Sequence, residues 1–168
     1  MTTHPQAPRG IDPRGPRFSA GLTAGLLLVV VALGLSRPVG ADLAARVSEP
    51  AFLLFALLVL VFGWTAFAGV QRHPFGWLFR TLVRPRISPP ADLEDPAPPT
   101  FAQGVGFAIT LAGAVLHLAG VPFGLVAAAA AAFVAAFLNA VFGYCLGCQI
   151  YLLLVRLGLL KPGGAAVA

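Results

Sequence analysis

The chain has 168 residues, 58% of them hydrophobic and 10% charged, with a formal net charge of +5 and a mean hydropathy of +0.88. Soluble domains carry about a quarter of their residues charged, so a water-soluble core is excluded. The length allows one membrane domain and no second folded unit. Nor does the positive charge point to nucleic acid as a partner. The arginines sit in short segments flanking apolar runs, as in the loops of membrane proteins.

Residues 1–17 are polar and proline-rich, carry Arg9, Arg14 and Arg17, and predict a disordered cytosolic N-terminus. Residues 18–35 hold no charge and can cross ~30 Å of hydrocarbon. The same run, read as a signal-peptide core, would place cleavage near Val39-Gly40-Ala41, but it exceeds the usual length of such cores. Gly21 and Gly25 offer a close-packing face on this first span, which leaves room for a homo-oligomer. A near-neutral loop with Arg37, Asp42, Arg46 and Glu49 leads to a second span over residues 51–70. Trp64 lies well inside that run, so it is expected to pack on another helix.

Residues 71–100 form the longest polar connection. Its first part, residues 74–86, mixes Phe75, Trp77 and Phe79 with Arg80, Arg84 and Arg86. Two readings stand: a segment lying in the membrane interface, or an ordinary basic loop. If interfacial, Trp77 and Phe79 should shield the segment that follows residue 143. The second part, with Pro89, Pro90, Pro96, Pro98 and Pro99, argues against helix. A third span covers residues 101–121, with His117 near its far end and a tight turn at Val121-Pro122-Phe123-Gly124.

Residues 124–160 contain no proline, and as one helix they would measure ~55 Å, nearly twice the hydrocarbon thickness. The run must break, and Gly143 and Gly147 are the candidates. The expected architecture is an all-α, polytopic bundle of four membrane helices, the fourth over residues 124–142, followed by a helical piece over 144–160 and a flexible tail over 161–168. A fifth span, made by a hairpin at residues 139–143, is the alternative. With the N-terminus inside, nine Lys and Arg fall on the cytosolic side and only Arg37 and Arg46 outside. That orientation expects a multi-pass inner-membrane protein.

Cys145 and Cys148 are the chain's two cysteines, spaced C-x-x-C beside Gly143 and Gly147. On the cytosolic side a structural disulfide is not expected. Reversible dithiol–disulfide chemistry or sulfur transfer needs this spacing, water access and a thiolate, which a helix starting near Gly143 would favour. The plain alternative is that both cysteines only pack between helices, in a non-enzymatic scaffold or assembly factor. Metal is disfavoured, since His4, His73 and His117 have no ligand spacing to the pair. A transporter is poorly supported, because Asn139 is the one strongly polar side chain in the fourth span. No nucleotide, haem or phosphate-loop motif implies a cofactor, and the residues alone assign no enzyme class.

Three stretches carry a family resemblance. They are Ile11-Asp12-Pro13-Arg14-Gly15-Pro16-Arg17-Phe18; His73-Pro74-Phe75-Gly76 with Arg84-Pro85-Arg86; and Asn139-Ala140-Val141-Phe142-Gly143-Tyr144-Cys145-Leu146-Gly147-Cys148-Gln149-Ile150-Tyr151. They resemble the bacterial, typically actinobacterial, membrane family known as domain of unknown function 4395, over about residues 12–160. The resemblance implies a polytopic inner-membrane protein, often encoded near thioredoxin-like or sulfurtransferase proteins. Those two classes are therefore the expected partners, besides the lipid bilayer. No activity comes with it, so Cys145 and Cys148 stand as the candidate catalytic residues on the strength of their spacing.

Overall fold

The structure, a computed structural model, describes residues 10–161. In chain order its α-helices are α1 (Arg14–Leu35), α2 (Leu43–Ser48), α3 (Pro50–Ala68), α4 (Pro74–Leu78), α5 (Ala97–Leu118), α6 (Gly124–Phe142) and α7 (Leu146–Arg156). Among the described residues the only β pairing is an isolated antiparallel bridge between Ile11 and Glu94. Helices α1, α3, α5 and α6 are long and apolar enough to cross a membrane. At 11 residues, α7 spans ~16 Å and cannot. The fold is the expected four-span bundle, and the fifth-span hairpin is not formed.

The four long helices make a closed ring in which α1 and α5 each pack against both α3 and α6. Leu27 and Val30 of α1, Phe55 and Leu58 of α3, and Leu125 and Ala129 of α6 meet in its centre. Helices in lipid gain little from hiding apolar surface, so close contact of small residues holds them together. Gly113 shows this: a Cβ there would stand 2.3 Å from Cβ of Ala128, so any side chain would part α5 from α6. Gly21 faces Ala140 at ordinary distance, while Gly25 has nothing within 4 Å. Large apolar side chains instead cover the outside; Leu60 is 70% and Phe67 85% exposed. A soluble bundle could not carry that surface, and a lipid-facing one requires it.

Several local readings are corrected. Of the expected disordered N-terminus, residues 10–17 are ordered; residues 1–9 lie outside the described residues, as do 162–168 of the expected tail. Helix α1 already starts at Arg14, because Asp12 holds this segment down. Its carboxylate takes the Arg14 guanidinium through two bonds of 2.9 and 2.8 Å and lies 3.6 Å from Arg84 Nε. Arg14, chiefly by its hydrogen bond, keeps the Asp12 carboxyl below its usual range. Arg14 Nη2 also donates to the Ser88 carbonyl at 2.9 Å, tying the arm to the long connection.

Helix α5 starts at Ala97, despite Pro98 and Pro99, since first-turn residues need no intrahelical N–H. Trp64 does not pack on another helix. It is 60% exposed and its indole N–H donates to the Arg72 carbonyl at 3.3 Å, at the end of α3. The 74–86 segment is helical throughout, as α4, one π turn over Phe79–Val83 and a 3-10 turn over Arg84–Arg86. It does not shield the C-terminal piece: Phe79 packs on Phe18 of α1, with ring centroids 5.7 Å apart, and Trp77 is exposed. The partner of α7 is instead the N-terminal part of α5.

The bundle has two unlike ends. At one, Arg46 donates to the carbonyls of Gly40, Ala41 and Leu118 at 2.8–3.0 Å. Beside it Glu49 accepts from the Gly40 N–H, and His117 Nε2 lies 3.2 Å from the Arg46 carbonyl oxygen. His117 is thus buried and hydrogen-bonded at this end, far along the chain fold from the cysteines. At the other end lie the start of α1, the 69–96 connection, the start of α5, and the turn between α6 and α7.

Candidate functional site

The turn that carries the cysteines follows from three residues. Gly143 ends α6 with φ of 68°, a left-handed cap that only glycine adopts at little cost. Its N–H donates to the Asn139 carbonyl at 3.0 Å and that of Tyr144 to the Leu138 carbonyl at 3.2 Å. Arg17 of α1 covers the same helix end, its guanidinium 3.4–3.5 Å from the carbonyls of Val141 and Ala140. The chain then turns extended at Cys145, which is the N-cap of α7. The break expected at Gly143 is observed, with the new helix starting at Leu146 rather than Tyr144.

As N-cap, Cys145 places its Sγ where a serine or aspartate oxygen usually sits. The Cys148 N–H donates to that sulfur at 3.2 Å. Cys145 and Cys148 are joined as a disulfide, with Cα atoms 5.2 Å apart. Both residues are half-buried, neither sealed in the core nor fully in solvent. One amide N–H and the positive end of α7 thus point at the Cys145 sulfur.

Gly147 seats this motif. A Cβ on it would lie 2.5 Å from Ala102 Cβ and 2.6 Å from Ala102 Cα, so α7 touches the backbone of α5 here. One turn on, Tyr151 packs against Phe101, with centroids 5.6 Å apart.

Cys145 lines a cavity of 230 Å³ walled by residues of α1, α3, α5, α6 and α7. Its walls are mainly small and apolar, with Ala132, Ala135 and Ala136 of α6 and Gly106 of α5. The polar groups on its walls are Thr23, His73, Gln103 and Asn139. Not one charged side chain lines it. His73 is 2% exposed, and its Nδ1 accepts from the Phe75 N–H at 3.1 Å, capping α4. Burial, and then the nearby Arg80 charge, push its pKa down to about 4, so the ring is neutral at physiological pH. With Nδ1 accepting, the proton resides on Nε2, which is bonded to no described residue. The Gln103 amide oxygen accepts from Thr65 Oγ1 at 3.0 Å, and its amide nitrogen has no partner among the described residues.

Sequence reasoning found Cys145 and Cys148 and named Asn139, but did not connect His73, Gln103 and Thr23 with them. His73 is the residue with a findable signal, since it stands with Asn139 in the motifs that carry the family resemblance. His117 stays outside the cavity, at the opposite end. Among the described residues no three His, Cys, Asp or Glu side chains converge in a way that could hold a metal ion.

A family model described as "Domain of unknown function (DUF4395)" matches residues 11–156. No curated protein and no solved structure matches the chain.

Proposed function

The chain belongs to the DUF4395 family of unknown function, and from that premise we propose that it is a membrane thiol protein exchanging electrons or sulfur with a soluble thioredoxin-like or sulfurtransferase partner. The observation that carries this reading is the placement of Cys145 sulfur. It caps α7, takes the Cys148 N–H at 3.2 Å, and sits half-buried within bonding reach of its neighbour. A pair that merely filled space would need neither the capping bond nor solvent access. In exchange, the Cys145 thiolate attacks a partner disulfide and expels one partner thiolate, giving a mixed disulfide. The Cys148 thiolate then attacks Cys145 Sγ and releases the second. The reverse sequence returns both electrons. Alternatively, a partner persulfide passes its outer sulfur to the Cys145 thiolate and leaves as a thiolate.

The test is a trap. A Cys148→Ser variant cannot resolve the mixed disulfide and should accumulate a dithiothreitol-sensitive adduct to a partner of that class, while Cys145→Ser should not. If the reduced cysteines alkylate only after unfolding, and a double alanine variant complements a deletion normally, the thiol reading fails. The protein is then a scaffold or assembly factor.

The same reading places the protein in the inner membrane with its N-terminus and cysteine turn facing the cytosol. Its support is charge: Arg14, Arg17, Arg72, Arg80, Arg84, Arg86 and Arg156 flank the cysteine end, against Arg37 and Arg46 at the other. Asp92 is exposed on the long connection. In a background lacking both native cysteines, an Asp92→Cys variant should resist an impermeant maleimide in intact cells and react once the membrane is opened. Labelling of intact cells would reverse the orientation.

A further inference from the structure

We propose that the cavity beside Cys145 is the binding site of a lipid-soluble quinone that oxidises the reduced Cys145/Cys148 pair; this deepens, and rests on, the thiol reading above. Three features of the cavity select the ligand class. First, no charged side chain lines it, so the ligand is neutral. Second, its rim includes Leu146 and Ile150 of α7 and Ala131 of α6, all exposed on the flank of the bundle. The mouth therefore lies between α6 and α7 and faces the bilayer, the phase in which such a ligand dissolves. Third, the polar groups Thr23, His73, Gln103 and Asn139 share the cavity wall with Cys145. His73 is buried as a residue, and its Nε2–H has no acceptor among the described residues. That edge of the ring opens on the cavity, where a ligand oxygen can take its hydrogen bond.

A ring carbonyl answers that donor. The amides of Gln103 and Asn139 can donate to the same oxygens in the quinone or accept from the hydroxyls of the quinol. Size agrees as well. The cavity measures 230 Å³, and a dry cavity of ~150 Å³ already holds a benzene ring. A substituted six-membered ring fits, and its tail leaves through the rim.

The chemistry closes without a further reactant. The Cys145 thiolate forms a bond to a ring carbon, and the electron pair displaced reaches a ring oxygen, which takes a proton. The Cys148 thiolate then attacks Cys145 Sγ; the sulfur–carbon bond breaks and its pair stays on the ring. A second proton completes the quinol. Two thiols have become one disulfide, and two electrons and two protons have moved to the quinone. The pair would thus draw electrons from its soluble partner and deliver them into the membrane.

The experiment uses the full-length protein in nanodiscs, reduced, desalted and kept anaerobic. The probe is decylubiquinone, whose fully substituted ring suppresses irreversible addition of thiols. Expected is one quinol formed per disulfide, at a rate that saturates with quinone. Ala135→Leu fills the cavity without removing a polar group and should lower the efficiency about tenfold or more, the ratio corresponding to overpacking. His73→Asn keeps a capping acceptor for α4 but loses the ring donor, and should raise the half-saturating quinone concentration. Oxidation that does not saturate and ignores Ala135→Leu overturns the site. So does a pair that is inert to quinone yet oxidised by a thioredoxin disulfide, an outcome that leaves the thiol reading standing. A pair inert to both reagents removes the two proposals together.

Discussion

A Gly147→Ala variant is expected to lose the seat of α7 and release the cysteine turn from the bundle. The added methyl would meet the Cα of Ala102 at 2.6 Å, and backbone cannot swing aside as a side chain would. Overpacking in a well-filled contact costs typically 1–3 kcal/mol, and a clash with backbone belongs at or beyond the upper end, about 3 kcal/mol. Thermal unfolding in detergent micelles should show this loss. The reduced cysteines should also alkylate faster than in the parent protein. Gly104→Ala is the control. It lies on α5 two residues from Ala102 with nothing within 4 Å, and should be neutral or slightly stabilising through helix propensity. Equal stability of the two variants would show that α7 is not held by this contact.

Stability should fall as the pH drops from neutrality toward 4, with His73 as the main carrier. Its pKa moves from 6.5 to about 4 on folding. Above 6.5 the ring is neutral in both states and the full stability is present. Between 6.5 and 4 the unfolded chain binds a proton that the folded one refuses, so stability declines with pH and the loss is complete below 4. The shift of about 2.5 units corresponds to about 3 kcal/mol in total, of which about 2 kcal/mol is gone by pH 5. Asp12 acts in the same direction but later. Its carboxyl is held below 3.8, so its contribution is lost only under more acid conditions. Unfolding curves at pH 7.5 and pH 5 should therefore diverge for the parent protein and much less for His73→Asn. The same divergence in both would exonerate His73.

The spans were legible because lipid demands long uninterrupted apolar runs, and residues 18–35, 51–70, 101–121 and 124–142 supply them. The break after Phe142 was legible too, since 37 residues could not continue as one helix inside the membrane and Gly143 offers the left-handed stop. What stayed hidden depends on partners distant in sequence. Nothing local in residues 10–17 announces that Ile11 will pair with Glu94 or that Asp12 will bind Arg84. The aromatics misled for a related reason. Trp64 and Trp77 are apolar enough to be sorted inward, but lipid accepts them on the outside, so hydrophobicity no longer distinguishes core from surface. His73 opens the polar connection in sequence and becomes a cavity wall only because α4 folds back against α1.

Polar mass is distributed unevenly across the bundle. Among the described residues only the short connections 36–49 and 119–123 emerge on the Arg46 side, and the first is sewn to the last turn of α5 through Arg46, Leu118 and His117. Residues 10–13, the whole 69–96 connection and residues 143–161 all lie on the other side. One compartment therefore meets a broad, sculpted platform of arginines and backbone turns, while the other meets little more than two stitched seams. A macromolecule arriving from the seam side would find almost nothing to grasp. Under the thiol reading, the soluble partner would therefore meet the molecule from the cysteine side alone.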